Sequence, residues 1–198
     1  VAVYNDACDN WVMFGEIGKT IDIVTVLPED SDLCTNAIWI EPESVYNGDS
    51  STGAAIQFTG DVNITMIGGH GGNGIAITRS DGMKESYYGG YLTIDGDVKI
   101  KGTVPNQWGI CDNPDNTVAR TNNAGILVDV DNSVLAINGS VYMDVCGNGI
   151  TIDAVDETYG YAAVVKTGYN INVGETRYNA YNGSQILVPQ GTADHQYY

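Results

Sequence analysis

The sequence predicts an all-β chain wound as a right-handed parallel β-helix, and three observations lead there. Three nine-residue stretches, Ile56–Ile64, Leu92–Ile100 and Leu135–Met143, share the pattern apolar-x-apolar-x-Gly-x-apolar-x-apolar. Side chains of a strand alternate between faces, so the apolar positions flanking each glycine share one face. A second motif, Gly-Ile at the head of a short strand, recurs at Gly74, Gly109, Gly125 and Gly149. Finally, nearly every apolar run is three to five residues long, shorter than the roughly five to six residues usual in sandwich strands. A strand–bend–strand unit that repeats and cannot bury its apolar face alone calls for stacking.

The elements follow in chain order. Residues 1–37 hold Trp11 and two of the four cysteines and lack the repeat, which predicts an N-terminal cap over the open end of the stack. Trp11, Phe14 and Ile17 fall loosely on one helical face within residues 5–18, but Gly15 and Gly18 oppose a helix there. Residues 38–173 are the predicted coils of a single domain. Their period-two apolar runs alternate with stretches rich in Gly, Asn, Asp and Ser, the residues of turns. The bend glycines are expected to supply backbone angles closed to other residues. The nine-residue units begin at 56, 92 and 135, hence 36 and 43 residues apart. With coils of roughly 20 residues, each large repeat is expected to span two coils. Residues 174–198 lose the pattern and form a second cap or a docking tail. The alternative is a β-sandwich or jelly roll, because the same nine-residue pattern also describes a hairpin with a three-residue glycine loop.

Composition bounds the function. The 198 residues carry 25 Asp and Glu against 8 Lys and Arg, a formal net charge of -17, and 25 glycines. Such a surface repels nucleic acid and anionic membranes and attracts divalent cations. No apolar run approaches the roughly 20 residues of a membrane span, so membrane insertion is not expected. No leader segment is read at Val1, which fits a processed mature chain or a section of a longer one. The polar, poorly charged surface points to an extracellular or cell-surface protein. Cys8, Cys34, Cys111 and Cys146 match no zinc spacing. Two disulfides, Cys8–Cys34 and Cys111–Cys146, fit the sequence spacing best among the three connectivities, with four free thiols as the alternative.

Phrases such as Leu92-Thr-Ile-Asp-Gly-Asp-Val-Lys-Ile100 and Leu135-Ala-Ile-Asn-Gly-Ser-Val-Tyr-Met143 resemble passenger regions of bacterial autotransporter adhesins and related right-handed β-helix surface proteins. The likeness covers roughly residues 54–152. It implies a secreted fibre or adhesin. In that family a C-terminal membrane barrel anchors the passenger, and the chain's end shows no run of amphipathic barrel strands. An excised passenger, or a free surface or filament protein of similar fold, is therefore expected.

The candidate chemistry is thin. Gly69-His70-Gly71 is similar to a motif of β-helical polygalacturonases, but the aspartate and basic motifs that accompany it there are missing, and acid–base hydrolysis needs two facing carboxylates. The basic residues are scattered, against a β-helical lyase. Calcium is the better candidate. Asp95/Asp97 and Asp129/Asp131 offer hard oxygen ligands, and Gly68–Ala76 fits a calcium-binding nonapeptide with Asn73 in place of Asp. The other reading of these acids is a solvated turn. Tyr87, Tyr88, Tyr91 and seven further tyrosines from Tyr159 to Tyr198 offer flat rings with polar tips to glycans or proteins, or else shield the flank of the stack. Asn63, Asn138 and Asn182 open glycosylation sequons. The resulting expectation is a non-enzymatic structural or adhesive surface protein with no certain cofactor. Its partners are other proteins or surface glycans, and self-association into filaments or a surface layer is the first alternative. A β-helical polysaccharide-active enzyme is the second.

Overall fold

The computed structural model describes residues 1–7, 9–28, 34–42, 53–67, 71–80, 86, 88–103, 124–130, 132–144, 148–152 and short strand segments from 155 to 197. Side chains are described up to residue 143, apart from residues 34, 71, 103 and 124. In chain order the strands are β1 (Val3–Asn5), β2 (Trp11–Phe14), β3 (Thr20–Val26), β4 (Cys34–Ile40), β5 (Ala54–Phe58) and β6 (Asp61–Ile67). Next come β7 (Gly71–Ile77), β8 (Gly90–Ile94), β9 (Val98–Thr103), β10 (Ala124–Val128), β11 (Val134–Ile137) and β12 (Val141–Asp144). They continue as β13 (Asn148–Ile152), β14 (Val155–Asp156), β15 (Tyr161–Ala162), β16 (Val164–Thr167), β17 (Ile171–Val173), β18 (Ile186–Leu187) and β19 (Gln196–Tyr197). No helix occurs among the described residues; residues 11–14 of the weak helical candidate are strand.

The chain visits three parallel sheets in rotation. Sheet A runs β1-β4-β7-β10-β13-β18, sheet B β2-β5-β8-β11-β16-β19 and sheet C β3-β6-β9-β12-β17. Among the described residues only β14–β15 pairs antiparallel. This order is consistent with a parallel β-helix. It excludes the hairpin reading for the nine-residue units, because β5 and β6 do not pair with each other. Each pairs instead with strands of the preceding and following circuits.

Register corrects the expected coil length. Val3, Ile38, Ile75, Ile126, Ile150 and Ile186 stand one above another along sheet A. One circuit, called a rung below, is therefore the whole large repeat and not half of it. Three strands and three corners need more residues than the two-coil reading allowed. The first 26 residues are the first rung. Its nine-residue template is present between Val12 and Ile23 but interrupted by the longer bend Gly15–Lys19, which conceals it in the sequence.

The core is a set of aliphatic columns. In sheet B, Ile56, Leu92 and Leu135 form one column and Phe58, Ile94 and Ile137 the next; in sheet C, Val62, Val98 and Val141 align, followed by Ile64, Ile100 and Met143. All are buried, at most 3% exposed. Burying each such side chain contributes about 1.5–3 kcal/mol, and the β-branched residues suit a pleated, packed surface. Phe14 stacks on Phe58 with ring centroids 5.3 Å apart, tying the first rung to the second.

The bend glycines have a different role from the expected one. Gly60, Gly96 and Gly139 are not among the residues with positive φ, so they do not supply unusual backbone angles. They are required because the bends stack closely. A Cβ on Gly96 would lie 2.6 Å from Asp61 N and 2.7 Å from Gly60 C, and one on Gly139 would lie 2.5 Å from Gly96 C. The Gly-Ile motif has a related cause. At Ala37–Ile38 two successive residues join the core. At the equivalent Gly74–Ile75 a Cβ on Gly74 would lie 2.6 Å from the core side chain of Ile100. Pairing skips these positions, running from Asn36↔Asn73 to Ile38↔Ile75. Two consecutive inward residues leave room for only a very small first one. The Gly109 copy lies outside the described residues.

Candidate functional site

The carboxylates singled out for calcium lie at the corner between sheets B and C. Asp95 and Asp97 sit in the bend between β8 and β9, not in a strand, so strand alternation does not place them side by side. Asp95 accepts hydrogen bonds from Gln57 Nε2 at 2.9 Å and Asn138 Nδ2 at 3.0 Å, one from the rung on each side. Asp97 Oδ1 accepts from the Ser140 backbone N–H at 2.8 Å, and the Asp97 N–H in turn donates to Asp61 Oδ1 at 2.8 Å. These acids act as rivets between successive bends, with both oxygens of Asp95 and Oδ1 of Asp97 taken by neutral donors.

The other candidates fall as follows. The Asp129 N–H donates to Ile77 O at 3.1 Å, just beyond β10. Asp131, His70, Cys8, Cys111, Cys146 and Asn182 lie outside the described residues; Cys34 is described only as the first residue of β4. Asn73, central to the nonapeptide match, lies within β7 and donates to Asn36 Oδ1 from both its backbone N–H, at 3.2 Å, and its Nδ2, at 2.8 Å. The sequon amides of Asn63 and Asn138 donate to Asp22 and Asp95 of neighbouring rungs. Among the described residues no three His, Cys, Asp or Glu side chains group closely enough to hold a metal ion. Of the tyrosine cluster, Tyr88 is buried and Tyr91 lies exposed in β8; the remaining members carry no described side chain.

Among the described residues a polar site lies on the outer face of sheet A, which the sequence did not point to. Tyr4, Trp39, Ala76 and Leu127 stand in register on neighbouring strands. A hollow of about 310 Å³ opens beside Trp39 and Leu127. Asn36 and Asn73 line it, as do Thr78, Arg79 and Ser80. Trp39 is held firmly. Its indole N–H donates to Thr78 O at 2.8 Å, and the Tyr4 ring lies 5.0 Å away, tilted by 53°.

Beside it the Tyr4 hydroxyl donates to Glu41 Oε2 at 2.6 Å and, more weakly, to Asp6 Oδ2 at 3.3 Å. Glu41 Oε1 accepts from the Ser80 N–H at 2.7 Å, and Arg79 donates to Pro42 O at 2.9 Å. Burial, then the bond to Glu41 and its charge, raise the Tyr4 hydroxyl above the ordinary 10.0. Burial alone would raise the Glu41 carboxyl; hydrogen bonds from Ser80 and Tyr4 and the charge of Arg79 outweigh it and hold the group below 4.5.

Both shifts link to stability. As pH falls below 4.5, the unfolded chain takes up the Glu41 proton before the folded one, and stability drops. As pH rises through 10.0, the unfolded chain releases the Tyr4 proton first, and stability drops again. In urea unfolding across pH, Tyr4→Phe is expected to flatten the alkaline limb. Glu41→Gln is expected to flatten the acid limb and reduce the alkaline one. The effects are small, because the pair is partly solvated.

Comparison with protein-family models, curated proteins and solved structures gives no match. The chemistry of the site therefore rests on its own geometry. The signal that would have helped is the rung period, which sets Asn36 over Asn73 and brings Trp39 and Leu127 to one register position on strands of the same sheet.

Proposed function

We propose that the chain is a right-handed parallel β-helix forming one solenoid domain over residues 1–198, and that it serves as a non-enzymatic adhesive or structural element outside the cell or on its surface. The observation that carries this reading is the stacking itself. Uninterrupted aliphatic columns and riveted bends make a stiff block whose outer faces are free to vary. The acidic, glycine-rich composition and the resemblance to autotransporter passengers support the same reading, and the corner carboxylates are engaged in holding rungs together.

One observation favours the second reading, a self-assembling subunit. β1, β2 and β3 are the outermost strands of their sheets, and their rung holds most of the exposed large apolar side chains, among them Trp11, Met13, Ile17, Val24 and Val26. These strands contain neither lysine nor proline, the residues that usually protect an edge. Light scattering behind size exclusion, combined with capture on immobilised glycans and matrix proteins, separates the readings. A monomer that is captured supports adhesion. Concentration-dependent growth that Val24→Lys abolishes supports the subunit. A monomer that nothing captures rejects both, and release of reducing or unsaturated sugars from polysaccharide would turn the reading towards an enzyme.

A further inference from the structure

We infer that the hollow on the outer face of sheet A is a binding site for a neutral pyranose sugar. Sugar recognition needs a flat apolar surface for the C–H face of the ring and planar polar groups for adjacent hydroxyls. Trp39 supplies the surface. Its N–H is already taken by Thr78 O and one side is packed by Tyr4, so the indole is fixed before any ligand arrives. Such fixing lowers the entropic cost of binding. At about 310 Å³ the hollow lies at the lower end of the roughly 300–1,000 Å³ of small-molecule sites, a size suited to one sugar ring.

The polar groups set the ligand class. Asn36 Oδ1 receives both bonds from Asn73, which orients the Asn36 amide and leaves its Nδ2 as a donor at the wall of the hollow. Arg79 and the amino terminus of Val1 are the cationic groups among the described lining residues. Arg79 is bonded to Pro42 O and sits beside the Glu41 carboxylate, and the Val1 ammonium donates to Thr35 Oγ1 at 3.0 Å, so both charges are already engaged within the chain. The chain's formal net charge of -17 opposes acidic sugars further. Neutral hydroxyl-rich ligands remain favoured.

The inference deepens the adhesive reading and rests on it for its biological sense, but the two fail separately, because a chain that adheres through protein contacts binds no free sugar. The test is saturation-transfer NMR and tryptophan fluorescence on the full chain with methyl glycosides of glucose, galactose, mannose and N-acetylglucosamine, and with galacturonate as the acidic comparison. At least one neutral probe is expected to bind saturably in the millimolar range, with galacturonate about tenfold weaker or worse. Trp39→Ala should abolish binding. Asn36→Asp, which keeps the acceptor for Asn73 but removes the donor, should weaken it about tenfold while leaving Tm close to that of the parent. Trp11→Ala, on the outer face of sheet B, should change nothing. No saturable signal from any neutral probe, equal binding by Asn36→Asp, or preference for galacturonate would overturn the inference.

Discussion

Replacing Gly96 by alanine is expected to cost about 3 kcal/mol and to lower Tm by roughly 10 °C, far more than one exposed methyl group ordinarily does. The reason lies between rungs. The new Cβ would lie 2.6 Å from Asp61 N and 2.7 Å from Gly60 C, with Asp61 Oδ1 also in its way. Two of these are backbone atoms, so no side-chain rotation relieves the overlap. The bend must lift off the one below it, which strains the bond from Asp97 N to Asp61 Oδ1. Gly139 packs its own bend on Gly96 in the same manner, so the displacement has nowhere to dissipate. Gly18→Ala is the matched control. Gly18 has φ +74° and nothing within 4 Å of a Cβ, so only the left-handed backbone is penalised, by about 1–2 kcal/mol. Urea unfolding of the two variants distinguishes the causes. Equal losses would mean that bend conformation, not rung-to-rung contact, selects glycine.

That distinction also marks how far the sequence could be read. The glycine-centred template located β5–β6, β8–β9 and β11–β12, because period-two alternation is a local signal that survives without tertiary knowledge. The role of its glycine was not local. Nothing within Leu92–Ile100 shows that Gly96 faces Gly60, since that contact depends on a register set 36 residues away. The coil length was misjudged for the same reason: sequence spacing gives the repeat, while only pairing tells how many circuits it contains. β2 and β3 escaped the template because Gly15–Lys19 lengthens their bend. At the candidate site, Asp95 and Asp97 were noticed as paired acids. Their partners Gln57, Asn138 and Ser140 come from other rungs and turn them from ligand candidates into links between bends. Trp39 and Asn36 carry no motif, and Asn73 was read only as part of a calcium nonapeptide; their meeting at one hollow becomes visible only once strands are aligned.

Truncating Phe58 to alanine should give the largest loss among core substitutions, about 3–5 kcal/mol. Phe58 is fully buried, lies in register with Phe14 and Ile94, and holds the only described ring of the first rung's core through its stack on Phe14. A cavity there removes the contact of two rungs at once. Phe14→Ala should cost roughly half as much, because Phe14 is only partly buried and its rung has a neighbour on one side alone. The double variant should lose less than the sum, since each single variant already forfeits the shared stack. The loss should also be local. In a stack each rung meets only its neighbours, so stability is close to a sum of junction terms. Hydrogen exchange in Phe58→Ala should therefore accelerate at Ala55 and Thr59, whose N–H groups bond to the first rung at Asn10 O and Phe14 O. Asn138, bonded to Ile94 O two junctions further on, should keep its protection. If all three amides accelerate together, the rungs open as one cooperative unit, and the open first-rung edge would have to be regarded as part of a single folding block.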